Sequence, residues 1–366
     1  MNFCFSRLNC FSSSSSSETC SDAQGSQTGN FHTFLYDELK IATDEFRSSN
    51  KIGEGGFGSV YKGKLKDGRT VAVKVLSVES KQGDREFMSE IASISNISHV
   101  NLVKLHGGCI DGPSRILVYE YMENNSLAQI LLGGEKNRAN LSWKSRKEIA
   151  LGIARALSYI HEEVKPHIVH RDIKLSNILL DQNFTPKVSD FGLSRLFSEN
   201  ITHLSTGVAG TLGYLAPEYA LSGHLTRKSD VYSFGVLLLE IMSGRTAIDF
   251  DVEQGEFFLV EKAWDMYKSN KLVQLVDPVL LLNGSSFSVQ EVVQFLKVGL
   301  LCVQEKCGLR PYMSEAIKMM CNEIDMDELQ MANPGLITNI MDVKVGNRRS
   351  SSSSFPKLLS PQLHSI

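Results

Sequence analysis

The most informative stretch of this chain is His170-Arg-Asp-Ile-Lys-Leu-Ser-Asn177, followed shortly by Ser189-Asp-Phe-Gly192. Taken alone, either is an ordinary polar loop between apolar runs. Three further stretches accompany them in a fixed order: Gly53-Glu-Gly55-Gly-Phe-Gly58-Ser-Val60, Val71-Ala-Val-Lys74 and Ala216-Pro-Glu218. Together the five cover residues 53–218, and few architectures place such stretches in register.

Glycines let a backbone approach phosphate oxygens closely and donate N–H groups to them. A lone G-x-G-x-x-G is nonetheless a weak signal, more often a flexible turn. A dinucleotide site needs strand, glycines, then helix. Here a second strand pattern follows, which disfavours it, and no Gly-Lys-Ser/Thr is present to make a Walker loop. Lys74, flanked by apolar residues on the next strand, would by itself be a surface lysine. With the glycines upstream it becomes a candidate phosphate ligand. A buried ammonium needs a partner, and Glu90 is the natural one; the alternative is a solvated helix face shared with Arg85 and Glu86.

The 366 residues are 42% apolar and 22% charged. At roughly 100–200 residues per domain this suggests two domains with a real core. A net charge of −3, from 38 Lys+Arg against 41 Asp+Glu, gives no argument for nucleic-acid binding. No run approaches the roughly 20 apolar residues of a membrane span; residues 292–303 are broken by Gln294 and Lys297. No secretory leader is expected, because the first 20 residues hold no sustained apolar core. The seven cysteines are odd in number and form no C-x-x-C pair, so they read as reduced cytosolic thiols.

Residues 1–30 are polar and serine-rich, too poor in apolar side chains to offset ordering entropy, and a second serine run at 350–354 marks a flexible tail. Between them, strands come first: residues 60–65 and 70–75, joined through Asp67-Gly68, and residues 116–121. Helical spacing follows over 86–97, 148–161, 229–242 and 289–304. Strands first and helices after give an α+β layout in two lobes.

The five stretches resemble the signature set of eukaryotic protein kinases. The resemblance implies a bilobal kinase fold, with a small β-rich N-lobe over 46–121 and a larger helical C-lobe over 122–325. A flanking segment 31–45 would precede this domain and a tail 326–366 would follow it. ATP and Mg²⁺ are the implied cofactors, with Mn²⁺ as an alternative. Phosphoryl transfer is mostly positioning and charge neutralisation. On the family's pattern Asp172 orients the substrate hydroxyl and accepts its proton, and Lys174 reaches the γ-phosphate. Lys74, paired with Glu90, holds the other phosphates, while Asn177 and Asp190 ligate metal. Ile52, Gly53, Gly55, Gly58, Val60, Ala72 and Leu179 would enclose the nucleotide, with Tyr119 controlling the pocket behind it and Glu120 and Met122 in the hinge. Ile94, Leu105, His170 and Phe191 would stack behind the metal site, Asp230 would prop the catalytic loop, and Glu218 would pair with Arg310.

Lys174 further implies a non-specific serine/threonine protein kinase, since tyrosine kinases carry Ala or Arg in that loop. Thr211, in Gly210-Thr-Leu-Gly-Tyr214, matches the threonine that bonds the aspartate and lysine in such enzymes. A pseudokinase, acting by binding alone, expects loss of Lys74, Asp172, Asn177 or Asp190, and none is lost. A membrane-docked signalling scaffold is the rival from another class. Arg171 beside Asp172, with Arg195, matches kinases switched by activation-loop phosphorylation. The candidate acceptors are Ser198, Thr202, Ser205, Thr206 and Thr211, with Ser205 and Thr206 favoured.

Phe34-Leu-Tyr-Asp-Glu-Leu-Lys-Ile-Ala-Thr-Asp-Glu-Phe46 and Gly213-Tyr-Leu-Ala-Pro-Glu-Tyr219 are similar to plant receptor-like kinases of the Pelle-related group. Without an ectodomain or membrane helix, the chain resembles the receptor-like cytoplasmic kinases. Asn200-Ile-Thr-His203 and Leu272-Val-Gln-Leu-Val-Asp-Pro278 resemble the cold-responsive protein kinase subgroup. The implied partners are protein substrates with Ser or Thr and a membrane receptor kinase upstream; no nucleic acid is expected, and the implied location is cytoplasmic. Asn2 closes the myristoylation route. Cys4 and Cys10 are either free thiols or S-acylation sites, and acylation of both would give peripheral contact with the plasma membrane.

Overall fold

The computed structural model describes residues 31–55, 58–76, 81–251, 255–282, 288–326, 329, 331–337 and 343. Six strands build the N-lobe sheet: β1 (His32–Thr33), β2 (Lys51–Gly55), β3 (Gly58–Lys64), β4 (Thr70–Leu76), β5 (Leu105–Asp111) and β6 (Ser114–Glu120). Their order is β1-β5-β6-β4-β3-β2, antiparallel except where β1 runs parallel to β5. Strand alternation divides the side chains between two faces. Val71, Val73, Ile116 and Val118 join Leu39 of helix α1 (Tyr36–Ala42) on the outer face. Leu76 and Leu117 pack inward with Phe87 and Ile94 of helix α2 (Lys81–Ile94). Lys74 is in step with Leu76, so it points toward α2.

The C-lobe helices are α3 (Leu127–Leu131), α4 (Glu135–Arg138), α5 (Trp143–Ser158), α6 (Pro217–Ser222), α7 (Arg227–Ser243), α8 (Leu259–Lys268), α9 (Pro278–Leu282), α10 (Val289–Cys302) and α11 (Met313–Met320). Short hairpin-like pairs carry the loops between them. Strand β7 (His167–Val169) pairs with β10 (Arg195–Phe197), β8 (Ile178–Leu180) with β9 (Pro186–Val188), and β11 (Leu204–Ser205) with β12 (His224–Leu225). Strands β13 (Ile248–Asp251) and β14 (Gly255–Phe258) form the last pair. Helix α7 is buried on every side from residue 229 to residue 243, as expected of a helix at the centre of a lobe. Thr226 caps its start and Gly244, at φ 65°, its end.

The expected α+β bilobal layout is the one observed, with shifted boundaries. The helix expected over 86–97 runs from Lys81 to Ile94. The one expected from 148 begins at Trp143, because Ser142 accepts the Ser145 N–H at 3.2 Å and caps it there. The flanking segment 31–45 adds an edge strand and a helix to the N-lobe. One expectation about the ends is corrected. The tail expected to be flexible from residue 326 packs over 331–337: Ile337 is buried, and the Gly335 carbonyl accepts the Tyr232 hydroxyl at 2.6 Å. Met331 and Leu336 cover the C-lobe core there, an apolar signal too short to show a period.

Candidate active site

Lys74 reaches across from β4 and donates to Glu90 Oε1 at 2.6 Å and to Asp190 Oδ1 at 2.7 Å. Burial opposes its charge, but the carboxylates of Asp190 and Glu90 outweigh that and hold its pKa above the ordinary lysine value. Asp190 is held below the usual carboxylate range: burial works against its charge, and the Lys74 ammonium overcomes it. Glu90 Oε2 also accepts the Tyr119 hydroxyl, so the completely buried carboxylate is bonded at both oxygens. The pair expected between Lys74 and Glu90 is therefore formed. Glu86, weighed above as part of a solvated face, is buried beside Gly192, and burial pushes its carboxyl up to about 7.

A second cluster forms around Asp172. Its Oδ1 accepts the Thr211 hydroxyl at 2.7 Å; its Oδ2 accepts Lys174 Nζ at 2.8 Å and Asn177 Nδ2 at 3.0 Å. Lys174 also donates to Thr211 Oγ1 at 2.7 Å. This loop stands on Asp230 of α7, whose carboxylate accepts the backbone N–H of His170 at 2.7 Å and of Arg171 at 2.8 Å. His161, in a wide π turn over Tyr159–Glu163, bonds the same carboxylate at 2.9 Å. Burial opposes the charge of Asp230, and these hydrogen bonds with the neighbouring histidines hold its pKa below the ordinary value. The His170 ring meets Phe191 edge-on at 4.6 Å, with Ile94 and Leu105 buried in the same core. His170 thus packs.

The residues expected to enclose a nucleotide lie on adjoining strands. Gly53 is opposite Val60, Val60 opposite Lys74, and Ala72 opposite Tyr119. Glu120 ends β6, with Met122 just beyond it, and Leu179 lies on β8. Ile52 is exposed, while Val60, Ala72 and Leu179 are half-buried, as walls of a cleft would be. At Gly55 a Cβ would meet nothing within 4 Å, but at Gly58 it would fall 2.0 Å from the Val75 carbonyl oxygen, so only glycine fits there.

Thr202 and Ser205 are exposed and Thr206 half-buried on the segment after Phe191, whereas the Thr211 hydroxyl is committed to Asp172 and Lys174. That separates Thr211 from the other phosphorylation candidates. Arg171 donates to the Leu193 carbonyl at 3.0 Å, the Gly207 carbonyl at 2.8 Å and the Tyr219 hydroxyl at 3.0 Å. Glu218 meets Arg310 in a bidentate pair at 2.7 and 2.8 Å. One serine network escaped the sequence reading. Ser89 donates to the Ser194 carbonyl at 3.0 Å, and Ser93 meets the Ser194 hydroxyl at 2.6 Å. The spacing of Ser89 and Ser93 on one face of α2 was its only signal.

A family model described as "Protein kinase domain" matches residues 46–357. Cold-responsive protein kinase 1 of Arabidopsis thaliana is 53% identical over 88% of this chain and 83% of its own length. "Probable LRR receptor-like serine/threonine-protein kinase At1g56140" and its At1g53440 counterpart, both from Arabidopsis thaliana, are 50% and 51% identical over 84% and 81% of this chain. The match takes up only 29% and 28% of those two longer proteins. Two paired clusters between a β-rich and a helical lobe, with a family match over most of the length, decide the affiliation: the chain belongs to the protein kinase family.

Proposed function

We propose that this chain is an ATP-dependent serine/threonine protein kinase, with Asp172, Lys174, Lys74 and Glu90 in the chemistry and Asn177 and Asp190 as metal ligands. The bonding around Asp172 carries the reading. Its carboxylate is aimed by Asn177, Thr211 and Lys174, as a group that must orient one hydroxyl would be. Asp172 takes the hydroxyl proton as that oxygen bonds to the γ-phosphorus; the bond from phosphorus to the β–γ bridging oxygen breaks, and ADP leaves. Lys174 meets the charge on the moving phosphoryl group, and Lys74, fixed by Glu90, holds the remaining phosphates. Ile52, Val60, Ala72 and Leu179 enclose the base in front of Tyr119, the backbone at Glu120 and Met122 reads its edge, and Gly53, Gly55 and Gly58 cover the phosphates.

The donor set fits a hard divalent cation. Asp190 is ionised, and Asn177 spends its amide nitrogen on Asp172, leaving the amide oxygen for a metal. Among the described residues no group of three or more His, Cys, Asp or Glu side chains could hold a metal alone. Asn177 and Asp190 would therefore hold the cation together with the nucleotide phosphates. When bound, Mg²⁺ (or Mn²⁺) neutralises charge on the phosphates.

Phosphorylation of Ser205 or Thr206 is the switch this reading assigns. Among the described residues neither the Arg171 nor the Arg195 guanidinium pairs with a carboxylate, and a phosphate on this loop supplies the missing anion. The names of the receptor-like relatives support a membrane receptor kinase upstream. No described helix is long and apolar enough to cross a membrane. A cytoplasmic chain held peripherally at the plasma membrane would need acylation of Cys4 and Cys10, which lie outside the described residues. Purified wild type and D172N with Mg-ATP, followed by phosphosite mapping, test the whole reading. Phosphoserine and phosphothreonine are expected from wild type, falling about 100-fold or more in D172N. Undiminished incorporation in D172N overturns the mechanism, and undiminished turnover in S205A/T206A overturns the switch.

A further inference from the structure

At the edge of the N-lobe sheet, His32 lies opposite Gly107 and Thr33 opposite Gly108, and the Phe34 N–H donates to the Gly108 carbonyl at 3.0 Å. The two glycines admit this strand. A Cβ at Gly107 would fall 1.8 Å from the His32 carbonyl oxygen, so any other residue there displaces β1. The residues bracketing β1 leave by opposite faces. Phe34 enters the outer cluster with Leu39, Val71 and Val73, whereas Phe31 packs on the inner core that contains Leu76, Phe87 and Leu117. The rings of Phe31 and Phe87 both come to 3.4 Å from where a Gly108 Cβ would sit, so they lie together over bare backbone. Phe87 is one turn before Glu90 on α2 and shares its side of the helix.

Helix α2 is also tied to its surroundings by Glu90, bonded to Lys74 and Tyr119, by the serine bonds to Ser194, and by an ion pair between Arg115 and Asp84 at 2.8 Å. Asp84 is 63% exposed, so that pair adds little. The contact at Phe87 adds apolar support from the sheet side, one turn from Glu90. We propose that Phe31 is a positioning residue: seated by β1 in the Gly107–Gly108 cradle, it braces α2 through Phe87 and keeps Glu90 on Lys74. Withdrawal of β1 then lowers turnover by loosening Glu90 from Lys74, with no residue of the cleft substituted. This rests on the kinase reading above.

The test uses the full chain as wild type, F31A, F31L and G107V, with D172N alongside. Hydrogen exchange is followed in α2 and, as an internal reference, in α7; kcat and KM for ATP are measured in parallel. In F31A and G107V, exchange should quicken in α2 but not in α7, and kcat/KM for ATP should fall about fivefold or more. F31L, which keeps most of the apolar volume, should retain about half or more of wild-type kcat/KM. Exchange in α2 that stays at the wild-type rate, or rises equally with α7, overturns the proposal whatever happens to activity. If wild type and D172N are equally inert toward Mg-ATP while α2 still responds selectively, the kinase reading fails and the brace stands.

Discussion

Glu240 carries a carboxyl into the interior of α7, where burial pushes its pKa from 4.5 up to about 8. One oxygen accepts the Tyr214 hydroxyl at 2.6 Å and the other the Ala247 N–H at 2.8 Å. Tyr214 ends the Gly210–Tyr214 stretch that carries Thr211, so this carboxyl anchors the loop facing Asp172. The folded chain keeps a proton here that the unfolded chain releases. The group's contribution to stability is therefore complete below about pH 4.5 and lost as pH rises through about 8. Glu240→Gln is neutral throughout, so thermal denaturation should show the Tm of E240Q gaining on wild type between about pH 5 and about pH 8. A constant difference over that range would mean that Glu240 is ionised in the fold.

Elements built on a regular period were legible in the sequence. Alternation over Val71-Ala-Val-Lys74 already put Lys74 on the face away from Val71 and Val73, which is the face α2 covers. The apolar run of α7 was equally plain, and its N-cap follows from Thr226, which accepts the Lys228 N–H at 3.1 Å. Replacing Thr226 by alanine should cost about 1 kcal/mol, with serine restoring most of it, in chemical denaturation at neutral pH. Equal stability of T226A and T226S would remove the capping role. Strand β1 was not legible, because two residues show no period and the decisive glycines lie far along the chain. The serine bonds between α2 and Ser194 were hidden for another reason: serine is as common on a solvated face as in a network. The charged residues of the candidate site were readable through the resemblance to protein kinases, since each stretch alone is an ordinary loop, whereas packing partners are chosen by the whole fold.

At the scale of the molecule, a net charge of −3 conceals cations deep inside. Arg146 of α5 is completely buried, donating to Asp277 Oδ2 at 2.6 Å and to the Ile241 carbonyl at 2.8 Å. Arg138 approaches the same oxygen at 3.3 Å, and Asp277 Oδ1 accepts the Val279 N–H at 3.1 Å. This buried group ties α4, α5 and the end of α7 together. Burial lowers the Arg146 pKa, and the Asp277 carboxylate opposes the shift by supplying the countercharge. Asp277→Asn preserves the shape and removes the countercharge. The expected loss is about 3–5 kcal/mol, a large part of the roughly 5–15 kcal/mol available to a folded domain. An exposed pair gives the contrast: Lys268 and Asp265 lie 3.0 Å apart with 54% and 64% of their side chains exposed. D265N should cost under about 1 kcal/mol. Urea denaturation of both variants, with kinase turnover measured where each is still folded, separates a stability role from a catalytic one. D277N should unfold at much lower urea while its folded fraction turns over as wild type does, and equal midpoints for D277N and D265N would show that the buried carboxylate holds nothing together.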